Sequence, residues 1–361
     1  MERVTIKTPS KQYPVVIGYD ILTELNEFIS TSIPKLSKIL VVVDEEVHRI
    51  HGDALKFLQE THEVHYFVAP RGEQSKSLNI FDEVISYALT KQLDRNSLVV
   101  GLGGGAIGDL SGFVASTYMR GISFIQVPTT ILAHDSAVGG KVAINHSLGK
   151  NMIGHFYQPE AVFYELNFLK TLPQEEVRSG MAEVIKHALI ADNSFYETLR
   201  KKLTSFSTLD KELLTYCLKR GIEIKGSIVE KDERETGIRA FLNFGHTYGH
   251  AIESASGYGK RTHGECVMIG MIFALFLSMK QGEEIGMELE EFVGWIKNLG
   301  YNLAISEDLS FDVLFELMTR DKKSEGGSPR FVLLREVGKP YLHKIDHDML
   351  KAADQYIRTL V

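Results

Sequence analysis

At 361 residues the chain is too long for one comfortable hydrophobic core, and two domains of ordinary size are expected. Its 44% hydrophobic and 24% charged residues, with only 9 prolines, exclude a disordered or fibrous chain. A formal net charge of −7 excludes the basic footprint of a nucleic-acid binder, so any anionic ligand must meet a local cluster of basic side chains.

The first residues, MERVTIKTPSKQYPVVIG, lack a basic stretch followed by an apolar run of about 7–15 residues. No later stretch offers the roughly 18 uninterrupted apolar residues of a membrane span, so a cytoplasmic protein with no membrane partner is expected. KILVVVD (38–44), VHYFVAP (64–70), SLVVGLGGG (97–105) and FIQVPTT (124–130) are apolar runs ending in Gly, Pro, Asp or Thr, which predicts strands buried on both faces. LKFLQETH (55–62) and LNIFDEVISYALTKQL (78–93) space apolar residues three and four apart, as helices covering such a sheet would. Together they predict a doubly wound α/β nucleotide-binding domain over residues 1–168. Residues 127–151, rich in Thr, Gly and Lys, read mostly as a ligand-contacting loop.

From about Leu169 the pattern turns helical, with EEVRSGMAEVIKHALIA, KELLTYCLKRGIEIKGSIVEKD and CVMIGMIFALFLSMKQ, giving a mostly α-helical domain over 169–361. SPRFVLL (328–334) reads as a lone short strand, and no fixed-period repeat is present. Cys217 and Cys266 are the only cysteines and lack CxxC spacing, so neither a disulfide framework nor a cysteine-rich zinc site is expected.

GLGGGAIGDLSGF (101–113) joins a strand to a helix through Gly103, Gly104 and Gly105, an arrangement whose backbone N–H groups can receive a pyrophosphate. Asp44 ends a strand, where it could accept from a ribose hydroxyl or cap a helix; Glu73 and Lys76 follow the next strand. Glu183 and Lys186 share one helix face amid apolar residues, which favours a buried, functional carboxylate over a surface pair. His246 and His250 lie one helical turn apart, but the glutamate of an H-E-x-x-H peptidase is missing. Either both bind a metal, or one binds it while the other moves protons. Glu183, His246 and His263 together would make a two-nitrogen, one-carboxylate site suited to Zn²⁺.

GGGAIGD, STYMRG, VPTT, VGGK, GMAEVIK, DERETGIR and LNFGHTYGHAIE, in order from about Asp44 to Leu334, resemble the 3-dehydroquinate synthases of the sugar phosphate cyclase family. The resemblance implies a Rossmann-like N-terminal α/β domain and an α-helical C-terminal domain, with NAD and a divalent metal (Zn or Co) in the cleft between them. Glu183, His246 and His263 then fall on the metal ligands and His250 on a catalytic histidine that is not a ligand. Asp44, Glu73, Lys76, Gly103, Gly104, Gly105, Asp109, Thr129, Thr130, Asp135, Lys141 and Lys150 fall on NAD contacts. Substrate contacts are implied for Lys141, Asn151, Lys186, Lys225, Arg239, Asn243 and a lysine of Lys322/Lys323, with Arg120 reaching the phosphate from the neighbouring subunit of a homodimer. Catalytic roles are implied for Lys141, Lys186, Lys225 and Glu235 beside His250.

This chain departs from the family in two places. It has one residue fewer between PTT and Asp135, and Ser179 stands where an asparagine often contacts the nicotinamide end. The implied substrate is 3-deoxy-D-arabino-heptulosonate 7-phosphate, an anion with a carboxylate and a phosphate. The rival readings are a metal-dependent polyol or alcohol dehydrogenase, which would consume NAD⁺ and would not need the Arg120, Lys225 and Arg239 charges, and another sugar phosphate cyclase.

Overall fold

The computed structural model describes residues 1–257, 260–320 and 329–360. Lys322 and Lys323, the candidate substrate lysines, lie outside the described residues. The chain divides into two compact units, one of Met1–Leu172 with Lys225–Arg234, the other of Pro173–Ile224 with Glu235–Val361.

The first unit contains β1 (Glu2–Lys7), β2 (Gln12–Gly18), α1 (Leu22–Ser32), β3 (Ile39–Asp44), α2 (Glu45–His51), β4 (Val64–Ala69), α3 (Leu78–Thr90), β5 (Leu98–Gly103), α4 (Gly105–Thr117), β6 (Ser123–Pro128), the single turn α5 (Ala133–Ser136), β7 (Lys141–His146), β8 (Gly149–Phe156) and β9 (Ala161–Glu165). Seven strands form one sheet in the order β1-β2-β9-β6-β5-β3-β4, parallel throughout except for the β1–β2 pair. The pleat explains the unbroken apolar runs. Ile39, Val41 and Val43 face α1 and Phe168 on one side, while Leu40 and Val42 face Val84 of α3 and Leu110 of α4 on the other.

β4-β3-β5-β6-β9 is a doubly wound order in which the chain leaves β3 in one direction and returns past it to β5. The crevice outside the carboxyl ends of β3 and β5 is therefore the topological switch point, where such sheets bind ligands. Asp44 and Gly103 are the last residues of those two strands.

Two readings of this half are corrected. Residues 127–151 are not mostly loop: β7 and β8 pair as an antiparallel hairpin, and Val142 packs so closely on α4 that a Cβ on Gly112 would sit 2.3 Å from it. LKFLQETH forms only a five-residue 3₁₀ turn, Lys56–Glu60, too short for the predicted helix.

The segment Lys225–Arg234 meets the first unit at Lys225, which pairs with Asp135, and at Glu233. That buried carboxylate accepts from Ser10 N at 3.2 Å, from Ser10 Oγ, and from Gln158 Nε2 at 2.7 Å. Burial alone would raise its pKa, but these donors outweigh burial and hold it below the usual carboxylate value. A depressed pKa stabilises the fold above the unfolded-state value, and the gain is lost as pH falls through the folded-state value. Glu233→Gln is accordingly expected to lower stability by about 1–2 kcal/mol at neutral pH. Thermal melts from pH 7 to 3 check this: the gap between variant and parent should close as the acid limb is reached.

The second unit contains α6 (Gln174–Ala191), α7 (Asn193–Lys202), α8 (Lys211–Lys231, whose last turns belong to the first unit), α9 (His246–Ser256), α10 (His263–Lys280), α11 (Leu289–Asn298), α12 (Phe311–Arg320), β10 (Arg330–Leu334), β11 (Pro340–Lys344) and α13 (His347–Arg358). The strand expected at 328–334 is not alone: β10 pairs antiparallel with β11. α10 is long and apolar enough by composition to cross a membrane, with mean hydropathy 1.3, but 72% of it is buried within the protein as a core helix.

Glycines let three helices meet backbone to backbone. A Cβ on Gly264 would lie 2.0 Å from Ser179 O of α6, and one on Gly270 would lie 1.9 Å from the carbonyl of Gly245 at the head of α9. Gly270→Ala is expected to destabilise by about 1–3 kcal/mol, since neither backbone can yield freely. It should lower the melting temperature and the metal content together; unchanged values of both would mean that the helices do not rely on this approach.

Candidate active site

In the first unit the candidate residues gather at the carboxyl ends of the parallel strands. Asp44 caps α2, accepting at Oδ1 from Glu46 N (2.8 Å) and Val47 N (3.3 Å), while its Oδ2 accepts from Gly72 N at 2.9 Å. This carboxylate therefore ties β3 to the turn that carries Glu73 and Lys76. The buried Lys76 ammonium donates to Asp109 Oδ2 at 2.6 Å and to Asn151 Oδ1 at 2.5 Å. Burial raises the pKa of Asp109, against the opposing charge of Lys76. Lys150 approaches Glu73 at 3.5 Å, and Lys225 approaches Asp135 Oδ2 at 3.0 Å while also donating to the Asp135 carbonyl. Lys141 opens β7 and is exposed, as is Arg120, which follows α4 in a left-handed backbone conformation (φ 69°).

The glycine run has a packing cause and a ligand consequence. A Cβ on Gly103 would meet Ile107 at 2.7 Å, one on Gly104 would meet Thr130 Cγ2 at 3.0 Å, and one on Gly105 would meet Ser136 Oγ at 2.7 Å. Gly104 caps α4 without a side-chain acceptor, which leaves the first-turn N–H groups to other partners. Beside it the buried hydroxyls Thr130 Oγ1 and Ser136 Oγ have no hydrogen-bond partner among the described residues. Helix N–H groups without a side-chain cap, unanswered hydroxyls and a switch-point crevice fit a dinucleotide pyrophosphate. Thr129, also buried, donates its N–H to Gly103 O at 3.0 Å and so joins β6 to the glycine turn.

In the second unit α6, α9 and α10 bring Glu183, His246, His250 and His263 together. Glu183 and Lys186 are each 1% exposed and form a buried ion pair. His246 Nε2 lies 3.5 Å, and His263 Nε2 3.6 Å, from the same Glu183 Oε1. The far nitrogens are already committed: His246 Nδ1 donates to Phe244 O (3.2 Å) and His263 Nδ1 to Glu253 Oε2 (2.9 Å). Both rings thus turn Nε2 toward one carboxylate oxygen, a donor set and outer hydrogen bonding that would suit a Zn²⁺ or Co²⁺ ion. Burial, reinforced by the Lys186 charge, holds His246 well below the usual imidazole pKa, so its lone pair stays available. Burial would lower His263 as well, but the Glu183 and Glu253 carboxylates outweigh it and carry its pKa up to about 9.

His250 is exposed, with its ring 5.1 Å from that of His246 and 5.5 Å from that of His263. The ligand atoms of His246, His250 and His263 also lie close enough together to share an ion, so geometry offers another ligand set beside the one with Glu183. Glu235, in left-handed backbone (φ 56°), accepts from Asn243 Nδ2 at 2.9 Å, and Arg239 is one of the largest fully buried side chains. Ser179, the family departure, accepts from Gly264 N at 3.0 Å and so pins the start of α10 to α6.

Asn145 was missed from sequence. Its amide donates to Glu73 at 2.8 Å, its carbonyl oxygen accepts from Asn151 N at 2.9 Å, and its backbone N–H donates to Lys76 O at 2.7 Å. Only recognition of the β7–β8 hairpin could have flagged it. Glu253 was missed too, although it lies seven residues after His246 on the same helix.

Comparison with known proteins gives a consistent result. The chain matches family models described as 3-dehydroquinate synthase N-terminal over residues 66–179 and 3-dehydroquinate synthase C-terminal over residues 180–324. It is 51% identical over 339 residues to a 3-dehydroquinate synthase of Bacillus cytotoxicus, covering 94% of this chain and 91% of that protein. A 3-dehydroquinate synthase of Geobacillus thermodenitrificans is 48% identical over 355 residues, covering 98% and 96%. Among solved structures, 2-deoxy-scyllo-inosose synthase complexed with carbaglucose-6-phosphate, NAD⁺ and Co²⁺ is similar, with a TM-score of 0.89 and 27% identity over 99% of each chain.

Proposed function

This chain belongs to the 3-dehydroquinate synthase family, and from that premise we propose that it converts 3-deoxy-D-arabino-heptulosonate 7-phosphate into 3-dehydroquinate and inorganic phosphate. The family similarity carries the activity. Within the chain, the observation that supports it most directly is the convergence of His246 and His263 Nε2 on Glu183 Oε1. Bound NAD⁺ would supply a reversible hydride acceptor, and Glu183, His246 and His263 would hold a divalent cation that would supply Lewis-acid polarisation of a substrate hydroxyl.

The chain's own groups do the rest. His250 takes the hydroxyl proton, a task suited to an exposed imidazole on the same helix as a ligand. In the first unit Asp44, Glu73, Lys76, Gly103–Gly105, Asp109, Thr129, Thr130, Asp135, Lys141 and Lys150 hold the dinucleotide, with Lys76 fixed by Asp109 and Asn151. Lys141, Asn151 and Lys225 there, and Lys186, Arg239 and Asn243 in the second unit, contact the substrate; Glu235 orients the Asn243 amide. Oxidation acidifies the neighbouring C–H. That proton would pass to an oxygen of the leaving phosphate as the C–O bond breaks by β-elimination, and after re-reduction the ring would open and an intramolecular aldol addition close the carbocycle. NAD⁺ is regenerated in each turnover, so the net reaction is redox-neutral. The reading includes a cytoplasmic homodimer in which Arg120, exposed after α4, reaches the phosphate in the other copy.

The test incubates the protein with the heptulosonate phosphate, NAD⁺ and Zn²⁺ while following phosphate and absorbance at about 340 nm, where NADH absorbs. Phosphate release with flat NADH absorbance supports the proposal. NADH accumulation with a simple polyol and no phosphate release would reverse it in favour of a dehydrogenase.

A further inference from the structure

We infer that Glu253 is the positioning residue of the metal site, holding the His263 imidazole so that Nε2, and not Nδ1, is the atom offered to the cation. The inference deepens the reading of Glu183, His246 and His263 as ligands and rests on it. A histidine has two candidate ligand atoms, and a free ring would rotate between them. Here Nδ1 lies 2.9 Å from Glu253 Oε2, an oxygen that can only accept when ionised, so the Nδ1 hydrogen is fixed there and Nε2 is the nitrogen turned toward Glu183, 3.6 Å from its Oε1, where a cation would replace its hydrogen.

Glu253 is itself 8% exposed and sits on α9, while His263 opens α10. Its position follows from helix geometry. Residue 253 comes seven after His246, two turns along the same face, so α9 supplies one ligand directly and braces the second on its neighbour. The approach of α9 to α10 fixes that reach: a Cβ on Gly249 would lie 2.8 Å from Cys266 O. His246 needs no carboxylate of this kind, because the Phe244 carbonyl, two residues earlier, accepts from its Nδ1. His263 follows Thr262, whose side chain accepts from Glu265 N as the cap of α10, and its ring takes its acceptor from α9.

The test measures Co²⁺ affinity of metal-stripped protein by competition with a chromophoric chelator, for the unchanged protein, Glu253→Gln and Glu253→Ala. Glu253→Ala is expected to bind Co²⁺ about 10- to 100-fold more weakly, the usual loss when an outer-shell partner of a ligand histidine is removed. Glu253→Gln, which keeps an acceptor but loses the charge, should fall between, and it carries the test if the alanine variant fails to fold. Excess Co²⁺ should restore the ligand-field spectrum in both variants, and much of the turnover, which general damage to the helices would not allow. Equal Co²⁺ affinity in all three proteins overturns the inference while leaving the ligand reading intact. No Co²⁺ binding by the unchanged protein overturns the ligand reading and the inference with it.

Discussion

His263→Ala is expected to lose bound metal and turnover together, whereas His250→Ala keeps the metal and still loses most turnover. The two rings are neighbours, but they stand differently toward Glu183. His263 Nε2 lies 3.6 Å from its Oε1 and is braced from behind by Glu253; His250 is exposed. A bound cation stabilises developing charge by several kcal/mol, so its loss should lower kcat by about a thousandfold or more. Loss of a proton-transfer group lowers rate by about 10²–10⁴-fold without touching the ligands. Metal analysis of purified variants beside kcat separates the two effects. Equal zinc content and equal activity loss would contradict the division of labour.

Lys186→Ala is expected to destabilise the metal-free protein by about 3–5 kcal/mol, because it removes the ammonium paired with the Glu183 carboxylate at a buried position. Both side chains are almost wholly buried, so solvent screening does not soften the loss. The melting temperature should fall by on the order of 10 °C. Two further outcomes identify the cause. Zn²⁺ should raise the melting temperature more in the variant than in the parent, since the cation supplies the missing positive charge beside Glu183. A Glu183→Gln, Lys186→Met double variant should recover part of the stability, because no charge is then buried alone. A melting temperature within about 2 °C of the parent would show that Glu183 does not depend on Lys186.

Much of this arrangement is legible in the sequence, for physical reasons. Strands buried on both faces are apolar at nearly every position, so β3, β5 and β6 stand out as near-continuous runs. Glu183 and Lys186 announce their burial through the apolar residues around them on one helix. Asp44 shows where such reading stops. Its strand-end position is readable, but its carboxylate already caps α2 and holds Gly72, and the second of these bonds joins residues 28 apart. The β7–β8 hairpin escaped because β8 is mostly exposed and mixes Gly, Lys, Asn and His with apolar residues. The grouping of Lys225–Arg234 with the α/β unit escaped because it rests on contacts between distant positions, such as Lys225 with Asp135 and Glu233 with Ser10, 223 positions away. The same holds for the switch point, since strand order is a long-range property that no local pattern encodes. Glu183, His246 and His263 stand out in the sequence by their chemistry and by family resemblance; the acceptors behind the two rings, Glu253 and the Phe244 carbonyl, required coordinates.

Anomalous diffraction from Co²⁺-loaded crystals tests the central assignment most directly. One cobalt peak bonded to Glu183, His246 Nε2 and His263 Nε2 is expected, with the His250 ring outside bonding distance. Cobalt bonded to His246, His250 and His263, with Glu183 still paired to Lys186 and unbound, would contradict it.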